Sequence, residues 1–81
     1  YYSDAEVREM MNTEKLLALC DDADRRIIEL ILGGKSAARI AEILYLSQSA
    51  VKYKIKKMYK ICDVESKDDF VSILNKYIKK P

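Results

Sequence analysis

Histidine is absent from these 81 residues, which removes the commonest neutral-pH general base and the commonest metal ligand. The two cysteines, Cys20 and Cys62, are too few and too widely spaced for a metal motif. Both stand where the pattern asks for an apolar residue, so they are expected to be reduced core residues. Glycine occurs twice and proline once, which argues against β-hairpins and against a glycine-rich phosphate loop. Helices joined by short turns are expected instead. No apolar run approaches the roughly 20 residues of a membrane span and no signal peptide is visible, so the expectation is a soluble, cytoplasmic domain. There is no nucleophile elbow and no carboxylate pair on one inward face, so neither an enzyme nor a cofactor or metal site is expected. The length allows one compact domain, and the opening on Tyr1 rather than Met suggests a piece of a longer protein.

The net charge is only +2, but it is unevenly spread. Residues 1–34 hold eight acids against four bases, whereas residues 35–81 hold eleven bases against five acids. Lys52, Lys54, Lys56, Lys57 and Lys60 fall within nine residues that contain no acid. That asymmetry suggests a polyanionic partner for the C-terminal half.

Periodicity and caps divide the chain into helices. Ser3 with Glu6 makes a capping-box pattern, and Val7, Met10 and Met11 give a short helical stripe interrupted at Asn12 and Thr13. Residues 1–19 are expected to form a linker helix or helices, packed on the domain as a lid or facing a missing partner domain. Residues 20–81 form the domain proper. Asp21 caps a helix in which Ala23, Ile27, Leu30 and Ile31 share a buried face broadened by Ile28, and Gly33-Gly34 ends it. Ser36 caps a second helix, Ala37 to Leu44, with Ile40, Ala41 and Leu44 inward. After the turn Tyr45-Leu46-Ser47, Ser47 caps a helix running to about Lys60, whose narrow apolar stripe is Val51, Ile55, Met58 and Cys62. Ser66 with Asp69 starts a last helix that ends near Lys79-Lys80. The fold expected is all-α, a four-helix arrangement preceded by an N-terminal linker helix.

Two short helices joined by a three-residue turn, the second of them basic, make a helix-turn-helix. Ala41 is small where the helices must cross, Leu46 can plug the turn, and Val51 faces inward to lock the second helix. The segment Cys20 to Leu74 resembles the C-terminal domain of the LuxR family, also found in response regulators. Gly34-Lys35-Ser36, Ile40-Ala41-Glu42-Ile43-Leu44-Tyr45-Leu46-Ser47, Ala50-Val51-Lys52 and Val64-Glu65-Ser66-Lys67 carry the likeness. Ala50, Ala37 and Arg39 depart from the family's usual hydroxyl, Asn and Glu, and Cys62 replaces Leu. The resemblance implies sequence-specific binding of double-stranded DNA as the effector domain of a bacterial transcriptional regulator in a two-component system. It also implies a homodimer on an inverted repeat, a signal-receiving domain on the N-terminal side, and RNA polymerase as a further partner.

The DNA-facing side chains follow from the helix wheel. Opposite the stripe of Val51, Ile55 and Met58 lie Ser49, Tyr53, Lys56, Lys57 and Lys60, flanked by Lys52, Ala50 and Lys54. A helix in the major groove reads bases from its N-terminal part, which selects Ser49, Lys52, Tyr53 and Lys56 on a recognition helix of about residues 48–60. Lys35, Lys54, Lys57 and Lys60 are expected on phosphates, with Ser36 and Ser47 presenting helix N-termini to the backbone. Tyr45 and Tyr59 are expected to be partly buried. On the last helix Phe70, Ile73, Leu74 and Tyr77 cover one side, and Val71 and Ile78 extend the apolar arc beyond one core contact. Either packing against residues 1–19 or a dimer seam would account for it. The rival to DNA binding is a helix-turn-helix fold that has lost DNA and docks a protein. The related DNA-binding region of a sigma factor shares the scaffold.

Overall fold

Five serine or aspartate caps open five helices. The structure, a computed structural model describing residues 1–78, contains α1 (Asp4–Leu19), α2 (Asp22–Leu32), α3 (Ala37–Leu44), α4 (Gln48–Cys62) and α5 (Lys67–Tyr77), and no strand among the described residues. The side chains of Ser3, Asp21, Ser36, Ser47 and Ser66 each accept from the backbone N–H three residues on, satisfying a donor that the first turn leaves open. In α1 and α2 the bond is returned, by Glu6 and Asp24, completing a capping box. The expected end of the last helix near Lys79-Lys80 lies outside the described residues.

The exits are as regular as the starts. Past α2, α3 and α4 the chain turns through one left-handed residue, Gly34, Tyr45 and Asp63. The following N–H reaches back to the helix in each case: Lys35 to the Leu30 carbonyl, Leu46 to that of Ala41, and Val64 to that of Tyr59, at 2.9–3.0 Å. This pattern occupies carbonyls that would otherwise lack partners. Of the adjacent glycines only Gly34, at φ +82°, needs to be glycine. Gly33 sits at φ −79°, and an added Cβ would meet only carbonyl oxygens at 3.5 Å.

One core joins all five helices. Ile27, Ile28 and Ile31 of α2 meet Ile40 and Ala41 of α3, Val51, Met58 and Cys62 of α4, and Phe70 and Leu74 of α5. Leu16 of α1 belongs to the same cluster and is 1 % exposed. Within residues 1–19 there is thus a single helix, α1, packed on α4 and α5. Asn12 and Thr13 do not break it. Thr13 is buried, and its hydroxyl donates to the Glu9 carbonyl at 2.8 Å, so the polar group is satisfied inside the helix. The Tyr77 hydroxyl donates to Glu9 at 2.7 Å, and the Lys76 ammonium stands 3.5 Å from Glu9 and 3.8 Å from Glu6. The N-terminal helix is thus fastened to the C-terminal one.

Candidate nucleic-acid interface

Helix α4 is the element on which most of the expected site residues stand. Its inner face is fixed by Val51, Met58 and Cys62, all buried. The opposite face follows by rotation: Ser49, Lys52, Tyr53, Lys56, Lys57 and Lys60 are all exposed, Tyr53 by 70 %. No ion pair among the described residues engages Lys52, Lys56, Lys57 or Lys60. The four lysines share the exposed side of α4, which has no carboxylate of its own, while Glu65 beyond its C-terminus lines a recess with Lys56 and Lys60.

Lys54 does not belong to that surface. Its ammonium lies 3.4 Å from Asp24 and 3.7 Å from Asp21, at the N-terminus of α2. At 100° per residue, Lys54 stands about 60° from Val51 and nearer still to Met58, on the shoulder of the buried stripe. Its long stem lies along the core edge and its charge meets the α2 capping acids. Lys54 is therefore a tie between helices and is dropped from the expected phosphate contacts.

Lys35, Ser36 and Ser47 flank α4 from the turns on either side of α3, and all three are exposed. Neither α3 nor α4 has an acid in its first turn, whereas α1, α2 and α5 each carry two. The positive dipole ends of α3 and α4 therefore have no first-turn carboxylate to offset them.

A further cation on this side, Lys67, belongs in sequence to the Val64-Glu65-Ser66-Lys67 segment and not to the expected DNA contacts. Lys67, the first residue of α5, donates to the Lys35 carbonyl at 3.3 Å, joining the α2–α3 turn to α5. A lysine in the first turn of a helix opposes the dipole, and that misfit is the signal available in sequence. Lys35, Lys52, Lys56 and Lys67 border a groove of about 580 Å³ that also takes in Ser49 and Tyr53. Ile55, expected in the inward stripe, is half-buried because it faces this groove.

The remaining aromatic and α5 positions divide. Tyr59 is half-buried as expected, its ring 5.0 Å from that of Phe70 and tilted by 53°. Tyr45 is 94 % exposed and not partly buried, because the left-handed turn takes its side chain out of the α3 periodicity. Val71 and Ile78 are both half-buried and packed against the core. Ile78 shares a recess with Leu17 of α1 and Ile28 and Leu32 of α2, so α1 accounts for part of the broad apolar arc of α5.

The cysteines are free. Cys62 is buried, and desolvation, helped by nearby Cys20, pushes its thiol up to about 11. Cys20 is half-buried and shifted upward by the same cause, so neither is poised as a nucleophile. No group of metal-binding side chains occurs among the described residues, and no helix there is long and apolar enough to cross a membrane. No family model, no characterised protein and no solved structure matches this chain.

Proposed function

We propose that this chain binds double-stranded DNA sequence-specifically, as the effector domain of a bacterial transcriptional regulator of LuxR type. In this reading α3, the Tyr45-Leu46-Ser47 turn and α4 form the helix-turn-helix, and α4 enters the major groove. The observation that carries the reading is the exposed basic face of α4, in no ion pair among the described residues, opposite the buried Val51, Met58 and Cys62. A solvated helix face ordinarily mixes signs, and here α4 itself carries four exposed lysines and no acid, although Glu65, just past its end, shares a recess with Lys56 and Lys60. Ser49, Lys52, Tyr53 and Lys56, in the first half of α4, are placed to meet base edges. Lys35, Lys57 and Lys60, with Lys67 added, and the N-termini capped by Ser36 and Ser47, supply the phosphate contacts. A second copy of the chain, meeting what α1 leaves uncovered around Val71, would read an inverted repeat.

Binding to random and to selected duplexes tests this directly. Lys52→Ala and Lys56→Ala should each lower affinity for the preferred site by about ten-fold or more, and each should make one base position in the half-site degenerate. Non-specific binding should fall far less. Variants that keep the wild-type base preference and lose only general affinity would remove α4 as the reader.

A further inference from the structure

The groove beside α4 has two chemically different parts. Its apolar lining is offered by Ala37, Ile55, Tyr53 and Tyr59, over the buried Ile31 and Ile40. Its rim carries Lys35, Lys52, Lys56 and Lys67, and no Asp or Glu lines it. A volume of about 580 Å³ falls in the ordinary range for small-molecule sites. A purely ionic partner would answer the lysines and leave the apolar lining without a partner. A neutral hydrocarbon would satisfy that lining and leave four cations unanswered.

We propose that this groove binds a small amphiphilic carboxylate, with its apolar body on Ile55 and Tyr59 and its carboxylate among the rim lysines. The complementarity is of charge and of polarity together. An anion at the mouth would meet ammonium groups from three parts of the chain: Lys35 in the α2–α3 turn, Lys52 and Lys56 on α4, and Lys67 on α5. The bond from Lys67 to the Lys35 carbonyl keeps two of these elements in register. Lys52, Tyr53 and Lys56 are also the proposed base-reading residues. Occupancy of the groove and engagement of DNA therefore exclude one another, a consequence that rests on the DNA-binding reading, whereas carboxylate binding itself does not.

Decanoate is the probe, with decanol as its uncharged counterpart. Titrated into the ¹⁵N-labelled 81-residue chain, decanoate should give saturable amide shifts confined to residues 35–40, 52–59 and 67. Decanol should bind at least about ten-fold more weakly. Ala37→Phe, which places a ring in the groove, should abolish the shifts while leaving the far-ultraviolet spectrum unchanged. Lys35→Gln with Lys67→Gln, which leaves the core untouched, should weaken decanoate and leave decanol as it was. Shifts that never saturate, that scatter over the surface, or that are equal for decanoate and decanol would overturn the proposal. Displacement of a fluorescent duplex by decanoate is the second arm. A chain that takes up decanoate but no duplex would refute the DNA reading alone. A chain that binds duplex but shows no decanoate shifts would refute the groove site alone.

Discussion

Lys54 and Lys57 are the same residue type three positions apart on one helix, and the structure gives them different surroundings. Lys57 is exposed and in no ion pair among the described residues, while Lys54 holds Asp24 at 3.4 Å and Asp21 at 3.7 Å. Each phosphate neutralised contributes about 0.9 to the slope of log K against log salt. Lys57→Gln should therefore flatten the slope by about 0.9. Between roughly 50 and 200 mM salt, a four-fold change, the variant should lose about 3.5-fold less affinity than the wild type. Its stability should stay within about 0.5 kcal/mol of wild type. Lys54→Gln should behave in the reverse way. The slope should not move, and loss of the pair with the mostly buried Asp24 should lower the melting temperature. Fluorescence anisotropy at four salt concentrations, paired with thermal unfolding of the same samples, separates the two. A flattened slope for Lys54→Gln, or a full slope for Lys57→Gln, would show the wrong lysine placed against DNA.

Three further outcomes test the fold around the site. Gly33→Ala should stabilise by about 0.4–1 kcal/mol through the unfolded chain, whereas Gly34→Ala must hold a Cβ at φ +82° and should destabilise by about 1 kcal/mol; thermal melts of equal sign would contradict the assigned turn. Burial and the bond to Glu9 raise the Tyr77 hydroxyl above its ordinary range, and the Lys76 ammonium, beside its neighbour Tyr77 and close to Glu9 and Glu6, is also raised. Raised groups stabilise below their unfolded pKa and lose that contribution as pH climbs through the folded one. Urea midpoints should therefore fall above about pH 10, less steeply in Tyr77→Phe. Val71→Glu should keep the helical content and half-site binding but lose cooperative binding to two half-sites; a chain that unfolds instead places Val71 in the core.

Much of the architecture is legible because it is written locally. Each N-cap needs only a side chain that reaches three residues on, so Ser3, Asp21, Ser36, Ser47 and Ser66 mark five helix starts without tertiary information. The buried stripe of α4 follows from spacing alone, and with it the exposed face of Ser49, Lys52, Tyr53, Lys56, Lys57 and Lys60. What escapes is what depends on partners distant in sequence. Lys54 sits between the two faces of α4, and only the acids thirty and more residues earlier decide which way it turns. The Lys67 contact spans 32 residues. Thr13 reads as a helix breaker until its hydroxyl is seen to bond within the helix, under the cover of its neighbours. Tyr45 misleads because a large aromatic suggests burial, whereas its backbone serves a left-handed turn that glycine more often occupies.

The seat of Leu16 has a consequence for how the molecule breathes. A peripheral segment exchanges its amide hydrogens through cheap local fraying, but opening α1 exposes an entirely buried leucine together with the buried Thr13. Uncovering such a leucine costs about 1.5–3 kcal/mol before any other contact is counted. The amides around Thr13 and Leu16 should therefore exchange at rates close to those of the α4 interior, slowing together as one cooperative unit. A chain cut between Leu19 and Cys20 would lose that protection everywhere at once, because the fragment left behind would present to water the patch on α4 and α5 that α1 now keeps dry.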